Sequence, residues 1–195
     1  RWFGALAAAV LLGGGAVARV DAATLWMGLT NGSGAASTRG ASGGWTRVAA
    51  ADIPIVTLYA APALADLDVD ALVGQEHGEI VAWRNTGTDA SPAWSRMAAW
   101  ALPSVGARSA PALGDLDGDG DVDLLVGNQA GQVRTFENTG SRTAPVWTAR
   151  ATLADLGDES RPTLGDVDGD GTPDVLVGLK GGAVLGFRGA GDGTF

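Results

Sequence analysis

The chain has 195 residues and a formal net charge of −9, which is enough sequence to bury one substantial core. The negative charge argues against a nucleic-acid partner, because phosphate binding needs a basic face. The absence of cysteine excludes thiol catalysis, zinc–thiolate sites and a disulfide framework, while the 31 glycines favour short strands and tight turns over helices.

The first element along the chain is an apolar segment at the amino terminus. Arg1 precedes the apolar run 2–18, which ends in small residues before Arg19 and Asp21. A basic start followed by an apolar stretch and small residues predicts a secretory signal peptide over 1–22. A membrane anchor and a buried helix are the alternatives, but the run is short and glycine-rich for the ~20 residues that a span requires. We therefore expect a secreted, periplasmic or cell-surface protein with no stable membrane span.

A repeat of about fifty residues occupies the rest of the chain. One phrase is written three times, at 61–68, 110–117 and 161–168, and its prolines are 49 and 51 residues apart. Each copy leads into an apolar strand that ends in glycine. A second phrase, Asn-Thr-Gly followed by Pro-x-Trp, recurs at 85–94 and 138–147. Self-similarity at a period of this length is typical of repeat architectures and propellers.

Each full repeat is predicted to contain four antiparallel strands. In the best-defined copy, a hairpin turn with glycine at its end occupies 128–131, and the predicted strands are 108–115, 122–127, 133–137 and 146–152. Four strands per repeat describe the blade of a β-propeller, whereas the repeats of a parallel β-helix, the alternative, are shorter. We therefore predict an all-β fold, a β-propeller of four-stranded blades over residues 23–195.

The blades are unequal in completeness. Residues 60–102 and 108–153 are predicted as complete blades, 24–50 as the last two strands of a blade, and 159–195 as a partial blade with three strands. About three and a half blades cannot close the usual ring of four to eight, and open edges invite pairing. We expect a fragment of a larger ring, closed by further blades of the same chain or by self-association. In this scheme the strands at 24–30 and 45–50 complete a blade that another part of the protein begins.

Two acidic loops share the pattern D-x-D-G-D-G-x-x-D, at 115–123 and 166–174. The carboxylates converge if the backbone coils tightly, and the two glycines permit such a coil. Calcium, a hard cation that takes 6–8 oxygen ligands, suits this loop better than magnesium, which demands stricter octahedral geometry. We predict two calcium sites, in which position 7 contributes its main-chain carbonyl. The predicted ligands are Asp115, Asp117, Asp119, Asp121 and Asp123 in the first loop, and Asp166, Asp168, Asp170, Thr172 and Asp174 in the second.

Two other interpretations of these loops are disfavoured. An EF-hand needs a bidentate acid at position 12, but Val126 and Val177 stand there in apolar strand sequence. The second interpretation is a solvated Asp-Gly turn that binds no metal. The occurrence of the same loop pattern at matching positions of two repeats argues against it. The first repeat lacks most of the loop and retains only Asp66, Asp68 and Asp70, so no tight calcium site is expected there.

The acidic loops and the period of about fifty residues resemble the FG-GAP/VCBS repeats of integrin-α-like propellers, over about residues 24–195. The literal Phe-Gly and Gly-Ala-Pro letters are replaced here by Ala-Pro or Arg-Pro. The resemblance implies that the loops are structural calcium sites between the first two strands of a blade, on the ten residues named above.

Few other residues carry chemistry. His77, the only histidine, lies at the predicted hairpin position and is interpreted as an exposed turn residue. Trp45, Trp94 and Trp147 recur at one blade position, which indicates core packing or contact between blades. Trp83 and Trp100 are less regular, and stacking against a sugar is an alternative role for them.

The sequence therefore predicts an exported, non-catalytic, calcium-stabilised propeller that acts as a binding or adhesion module for an extracellular glycan or protein. The alternative is a scaffold or accessory domain of an extracellular polysaccharide lyase or hydrolase. Fold alone does not decide between these two functions.

Overall fold

The computed structural model describes three strands between residues 24 and 48, and then residues 60–65, 70–87, 93–100, 102 and 104–195. The predicted signal peptide at 1–22 lies outside these residues, as does most of the shortened acidic loop, at 66–69. In the described part of the chain, no helix is long and apolar enough to cross a membrane.

Fourteen strands form four antiparallel sheets in the described residues, and neighbouring strands in each sheet are consecutive in sequence. The first sheet contains β1 (Thr24–Gly28), β2 (Gly34–Arg39) and β3 (Trp45–Val48). The second contains β4 (Ala61–Ala65), β5 (Asp70–Gly74), β6 (Ile80–Asn85) and β7 (Trp94–Arg96), and is followed by a short 3-10 helix (Ala98–Trp100). The third contains β8 (Ala110–Gly114), β9 (Asp123–Gly127), β10 (Gln132–Asn138) and β11 (Trp147–Asp155). The fourth contains β12 (Ser160–Gly165), β13 (Asp174–Leu179) and β14 (Val184–Phe187).

The all-β, four-stranded pattern predicted for the two central repeats is confirmed, and the arrangement is that of successive propeller blades. The prediction for the first repeat is wrong in its strand count. Two strands were expected in 24–50, but β2 lies between β1 and β3 and pairs with both. The segments at 24–30 and 45–50 are therefore not neighbours in the sheet. The sequence of β2, GAASTR, has no alternation of apolar and polar residues that would predict a strand.

The core lies between successive sheets. Along β9, Leu124 and Val126 pack in a cluster with residues of the second sheet, whereas Leu125 packs in a cluster with residues of the fourth. Side chains alternate between the faces of a strand, so a strand covered on both faces must be apolar at every position. All three of these residues are fully buried, which explains the uninterrupted apolar runs found in each repeat.

A serine joins the third sheet to the second, and another joins the fourth sheet to the third. The backbone N–H of Ser109 donates to the carbonyl of Gln75 (3.1 Å), and the Ser109 hydroxyl accepts from the N–H of Gln75 (2.9 Å). One repeat later, Ser160 forms the same two bonds with Asn128, at 3.0 and 3.1 Å. These serine joints connect the residue after the second strand of one sheet to the start of the first strand of the next.

The glycine at the end of the second strand allows this close approach. A Cβ atom at Gly127 would lie 2.3 Å from the carbonyl oxygen of Ser160 and 2.6 Å from Cδ of Pro162. At Gly74 it would lie 2.0 Å from the carbonyl oxygen of Ser109. The repeated glycine and proline of the sequence are thus the two sides of one contact between blades.

The asparagine of the Asn-Thr-Gly phrase closes the turn between the third and fourth strands. Oδ1 of Asn138 accepts the N–H groups of Gly140 (3.1 Å) and Val146 (3.0 Å). Oδ1 of Asn85 accepts the N–H of Gly87 (3.0 Å) and of Ala93 (2.9 Å) in the same way. Asparagine side chains commonly stabilise turns by such bonds to the following backbone, which explains why this residue recurs.

Candidate metal centres

The two acidic loops occupy equivalent places in successive sheets. One joins β8 to β9 and the other joins β12 to β13, so each loop lies at the end of the sheet opposite to the serine joint. The glycines at positions 4 and 6 have positive φ angles, 78° and 92° in the first loop and 80° and 89° in the second. L-residues with side chains rarely adopt this conformation, so glycine is needed for the backbone to coil.

In the first loop the coil is held by carboxylates that accept backbone N–H groups. Asp115 accepts with both oxygens, from Gly118 (2.8 Å) and Gly120 (3.0 Å). Asp123 also accepts with both, from Leu116 and from Asn138 at 2.9 Å each. The acid at position 1 therefore holds the loop interior, and the acid at position 9 ties the loop to the end of β10.

The second loop repeats these bonds almost without change. Asp166 accepts the N–H of Gly169 (2.7 Å) and of Gly171 (3.0 Å). Asp174 accepts the N–H of Val167 and of Gly189, both at 2.9 Å. Two loops of different sequence thus fold into one hydrogen-bonded form.

Three carboxylates converge in each loop. Asp115, Asp117 and Asp123 each offer an oxygen that lies within 4.8 Å of the others, and Asp166, Asp168 and Asp174 form the matching triad. Oxygens bound to one calcium ion at about 2.3–2.6 Å lie at most about 5 Å apart. Both triads fit that limit, and their hard carboxylate oxygens are the ligands that calcium prefers.

The other predicted ligands lie on the same loops but outside these triads. Oδ1 of Asp119 accepts the N–H of Asp121 (2.8 Å), and Oδ1 of Asp170 accepts the N–H of Thr172 (2.9 Å). Asp119 and Asp170 are exposed. The structure therefore brings together positions 1, 3 and 9, and the contributions of positions 5 and 7 stay predictions. The side chains of Asp66, Asp68 and Asp70 in the shortened loop lie outside the described part of the chain.

The pKa of the carboxyl group at position 9 shifts in opposite directions in the two loops. Burial, together with the like charges of Asp117 and Asp119, raises the pKa of the Asp123 carboxyl to about 6. The backbone N–H groups of Gly189 and Val167 instead hold the pKa of Asp174 below its usual range. A buried carboxylate beside other acids is a group that a bound cation would stabilise.

A cation of the protein itself lies against the second loop. The guanidinium of Arg188 forms ion pairs with Asp168 and Asp170, at 2.9 Å each. The Thr172 hydroxyl and backbone N–H, and then Arg188, lower the pKa of Asp170 to about 2. The contact of Arg188 with this loop was not predicted from the sequence. In an alignment of the repeats, Arg188 is equivalent to Glu137 of the preceding repeat.

The remaining candidate residues lie in a turn or against the core clusters, apart from Trp45, whose side chain is not described. His77 is exposed in the turn between β5 and β6, as predicted. Trp94 and Trp147 pack against core clusters, which confirms the packing role for these two; the side chain of Trp45 lies outside the described residues. The sugar-stacking alternative is wrong for Trp100, which is 5% exposed and accepts a bond from Nε1 of Trp147 at its carbonyl (3.1 Å). Trp83 is half-buried against the cluster of the second sheet.

The sequence matches a known family over its two central repeats. The model of the FG-GAP-like repeat matches residues 64–126 and again 115–177, which together are more than half of the chain. The chain belongs to the FG-GAP-like repeat family. No curated protein matches it in sequence.

The FG-GAP-like matches coincide with the structural repeat. The first match begins in β4 and ends in β9, and the second begins at the first acidic loop and ends in β13. Each match therefore ends just after an acidic loop, and both loops are parts of the FG-GAP-like repeat itself. The resemblance drawn from the sequence is confirmed at the level of the family and of the propeller-type fold.

Proposed function

We propose that this chain is a non-catalytic, propeller-type binding module that two structural calcium ions stabilise. The observation that carries the proposal is the repetition of one loop form, in which the same backbone bonds gather three carboxylates at the same place in successive blades. In the first loop, Asp115 follows β8 and Asp123 begins β9, so a bound ion would join the first two strands of the blade. The ion would also offset the repulsion between the gathered carboxylates.

Calcium should raise the melting temperature of the folded chain. A ligand that binds only the folded state stabilises it by RT ln(1 + [Ca²⁺]/Kd), which is about 2 kcal/mol per site at about fifty times Kd. The measurement is a thermal melt in a few millimolar calcium, compared with the same protein in chelator and with a magnesium control. Equal melting temperatures in calcium and chelator would refute the structural role.

We infer an extracellular role for the module. Extracellular calcium modules have dissociation constants of about 10⁻⁴–10⁻³ M, a range matched to calcium outside the cell. The amino-terminal sequence pattern supports export, and an extracellular glycan or protein is the partner class proposed. A glycan array and a surface-protein binding screen, each run in calcium and in chelator, would identify the ligand. Calcium-dependent retention of one ligand class is the expected result.

The face of the fourth sheet that carries Val184 supports a second part of the proposal, a contact with a further blade. Ile80, Val133 and Val184 occupy the same position in their sheets, because each pairs with the glycine at or near the end of the second strand. Ile80 and Val133 are 0% exposed beneath the next sheet, whereas Val184 is 67% exposed. Among the residues that the structure describes, a Cβ at Gly178 would meet only the Arg161 carbonyl oxygen, at 3.9 Å. We infer that this face receives a blade of the same repeat, which a second copy supplies when the chain is prepared alone.

Self-association should therefore depend on Val184. Light scattering on a size-exclusion column is expected to give a mass above that of a monomer for the chain, rising with concentration. Val184→Asp should shift the mass towards the monomer, because it places a charge in an apolar interface. Val146→Asp is the control, since Val146 is 57% exposed in the turn before β11. A chain that stays monomeric at every concentration, or an equal response of the two variants, would contradict this contact.

A further inference from the structure

Arg188 contacts two acids of the second loop, Asp168 of the converging triad and Asp170 at position 5. Oδ1 of Asp168 accepts the N–H of Asp170, and Oδ1 of Asp170 accepts the N–H of Thr172, so these oxygens serve the coil. Oδ2 of both acids instead contacts the guanidinium, from Nε and Nη2, at 2.9 Å. The guanidinium thus lies on the loop at the side chains of positions 3 and 5.

The first loop has an acid at the equivalent position. The residue after Arg188 is Gly189, whose N–H donates to Asp174; the residue after Glu137 is Asn138, whose N–H donates to Asp123. Glu137 and Arg188 therefore stand at the same place beside their loops. The Glu137 carboxylate is paired with Arg150 (2.7 Å) and adds no positive charge to its own loop.

The two loops differ in charge. The first loop carries five carboxylates, at 115, 117, 119, 121 and 123. The second loop carries four, at 166, 168, 170 and 174, because Thr172 stands at position 7, and the guanidinium of Arg188 contacts this loop. Ligand charge tunes the affinity of calcium loops, and a fixed cation reduces the charge that the ion meets. Calcium would also have to displace the guanidinium or bind within a few ångströms of it.

We propose that Arg188 is a resident cation of the second loop, which holds that loop folded without metal and makes its calcium affinity lower than that of the first loop. The proposal rests on the proposed calcium binding. Arg188 is 69% exposed and its acid partners are 38% and 33% exposed, so solvent screens the effect. The expected difference in dissociation constant is about fivefold, the upper end of what a change in exposed charge produces.

Isothermal titration calorimetry on proteins with one active loop tests the proposal. Asp117→Ala removes the side-chain ligand at position 3 of the first triad and leaves the second loop to be measured, and Asp168→Ala does the converse. In the Asp117→Ala protein, adding Arg188→Gln should tighten calcium binding about fivefold. In the Asp168→Ala protein, Glu137→Arg should weaken binding by a similar factor. Glu137→Gln is the intermediate case, because it leaves Arg150 without its carboxylate partner beside Asp117 and Asp123 but adds no second cation, so it should weaken binding less than Glu137→Arg does.

The rise in melting temperature on addition of calcium distinguishes a resident cation from an arginine that only supports the fold. With both loops intact, Arg188→Gln should lower the melting temperature in chelator, because the second loop loses its only cation among the described contacts. The same variant should show a larger rise on addition of calcium than the unsubstituted chain. A structural residue would lower both values equally and leave the calcium increment unchanged.

The possible outcomes distinguish the resident cation from calcium binding itself. If the second loop binds calcium equally well with and without the Arg188→Gln substitution, or if the calcium increment is unchanged, the resident cation is overturned while calcium binding stands. Absence of calcium binding by the first loop in the Asp168→Ala protein would instead refute the proposed function. Weakening by Glu137→Gln equal to that by Glu137→Arg would also overturn the role of charge at this position.

Discussion

Replacing Gly127 by alanine should destabilise the protein by about 3 kcal/mol or more, as overpacking against rigid backbone does. The added Cβ would lie 2.3 Å from the carbonyl oxygen of Ser160 and 2.6 Å from Cδ of Pro162. Neither atom can withdraw easily, because Ser160 is hydrogen-bonded to Asn128 through both its N–H and its hydroxyl. Chemical denaturation of the variant and the parent chain measures the effect.

Gly178→Ala is the matched control. Gly178 stands at the same repeat position on the fourth sheet, where the nearest atom of the described residues to an added Cβ is 3.9 Å away. At protein concentrations low enough to keep the chain monomeric, where no second copy covers this face, the change should alter the free energy of unfolding by at most about 0.5 kcal/mol, or slightly stabilise the fold by restricting the unfolded chain. Equal losses at Gly127 and Gly178 would show that the contact between blades does not decide the glycine requirement.

Asp123→Ala should cost about 2–4 kcal/mol even in chelator, because it leaves two buried backbone N–H groups without acceptors. These are the N–H groups of Leu116 and Asn138, which the carboxylate accepts at 2.9 Å. The loss is therefore expected from the protein alone, before any effect of calcium. Urea denaturation in chelator gives the value.

Asp119→Ala separates this structural role from metal binding. Asp119 is exposed and accepts only a bond within its own loop among the described contacts, from the N–H of Asp121. In chelator its loss should be within about 1 kcal/mol, while the calcium response of the first loop should be lost. If the two variants lost equal stability in chelator, Asp123 would have no role beyond that of a ligand.

Much of the fold and of the loops follows from the sequence because the determining interactions are local and repeated. The apolar strands, the glycine of the turn after Asn128 and the D-x-D-G-D-G pattern each specify a backbone form within a few residues. Repetition then fixes the architecture, since a phrase that recurs three times must occupy equivalent places. The triads at Asp115 and Asp166 formed as the coil argument requires.

The features that sequence reasoning missed depend on contacts between distant segments. Ser109 and Ser160 precede the recognised phrase by one residue, and only the packing of successive sheets gives them partners. Arg188 reaches its loop because β14 pairs with β13, and one charged residue after a strand does not predict that contact. Trp100 is buried by the packing of the second and third sheets, which no local pattern indicates.

Isothermal titration of the metal-free chain with calcium tests the central claim most directly. Two ions should bind per chain, one in each loop, and one ion should bind when either Asp117→Ala or Asp168→Ala is introduced, because alanine offers no side-chain oxygen to the metal. The doubly substituted protein should bind none, while far-ultraviolet circular dichroism confirms that it retains its β structure. A chain that binds no calcium at millimolar concentrations, or a double variant that still binds two ions, would contradict the assignment of these loops as calcium sites.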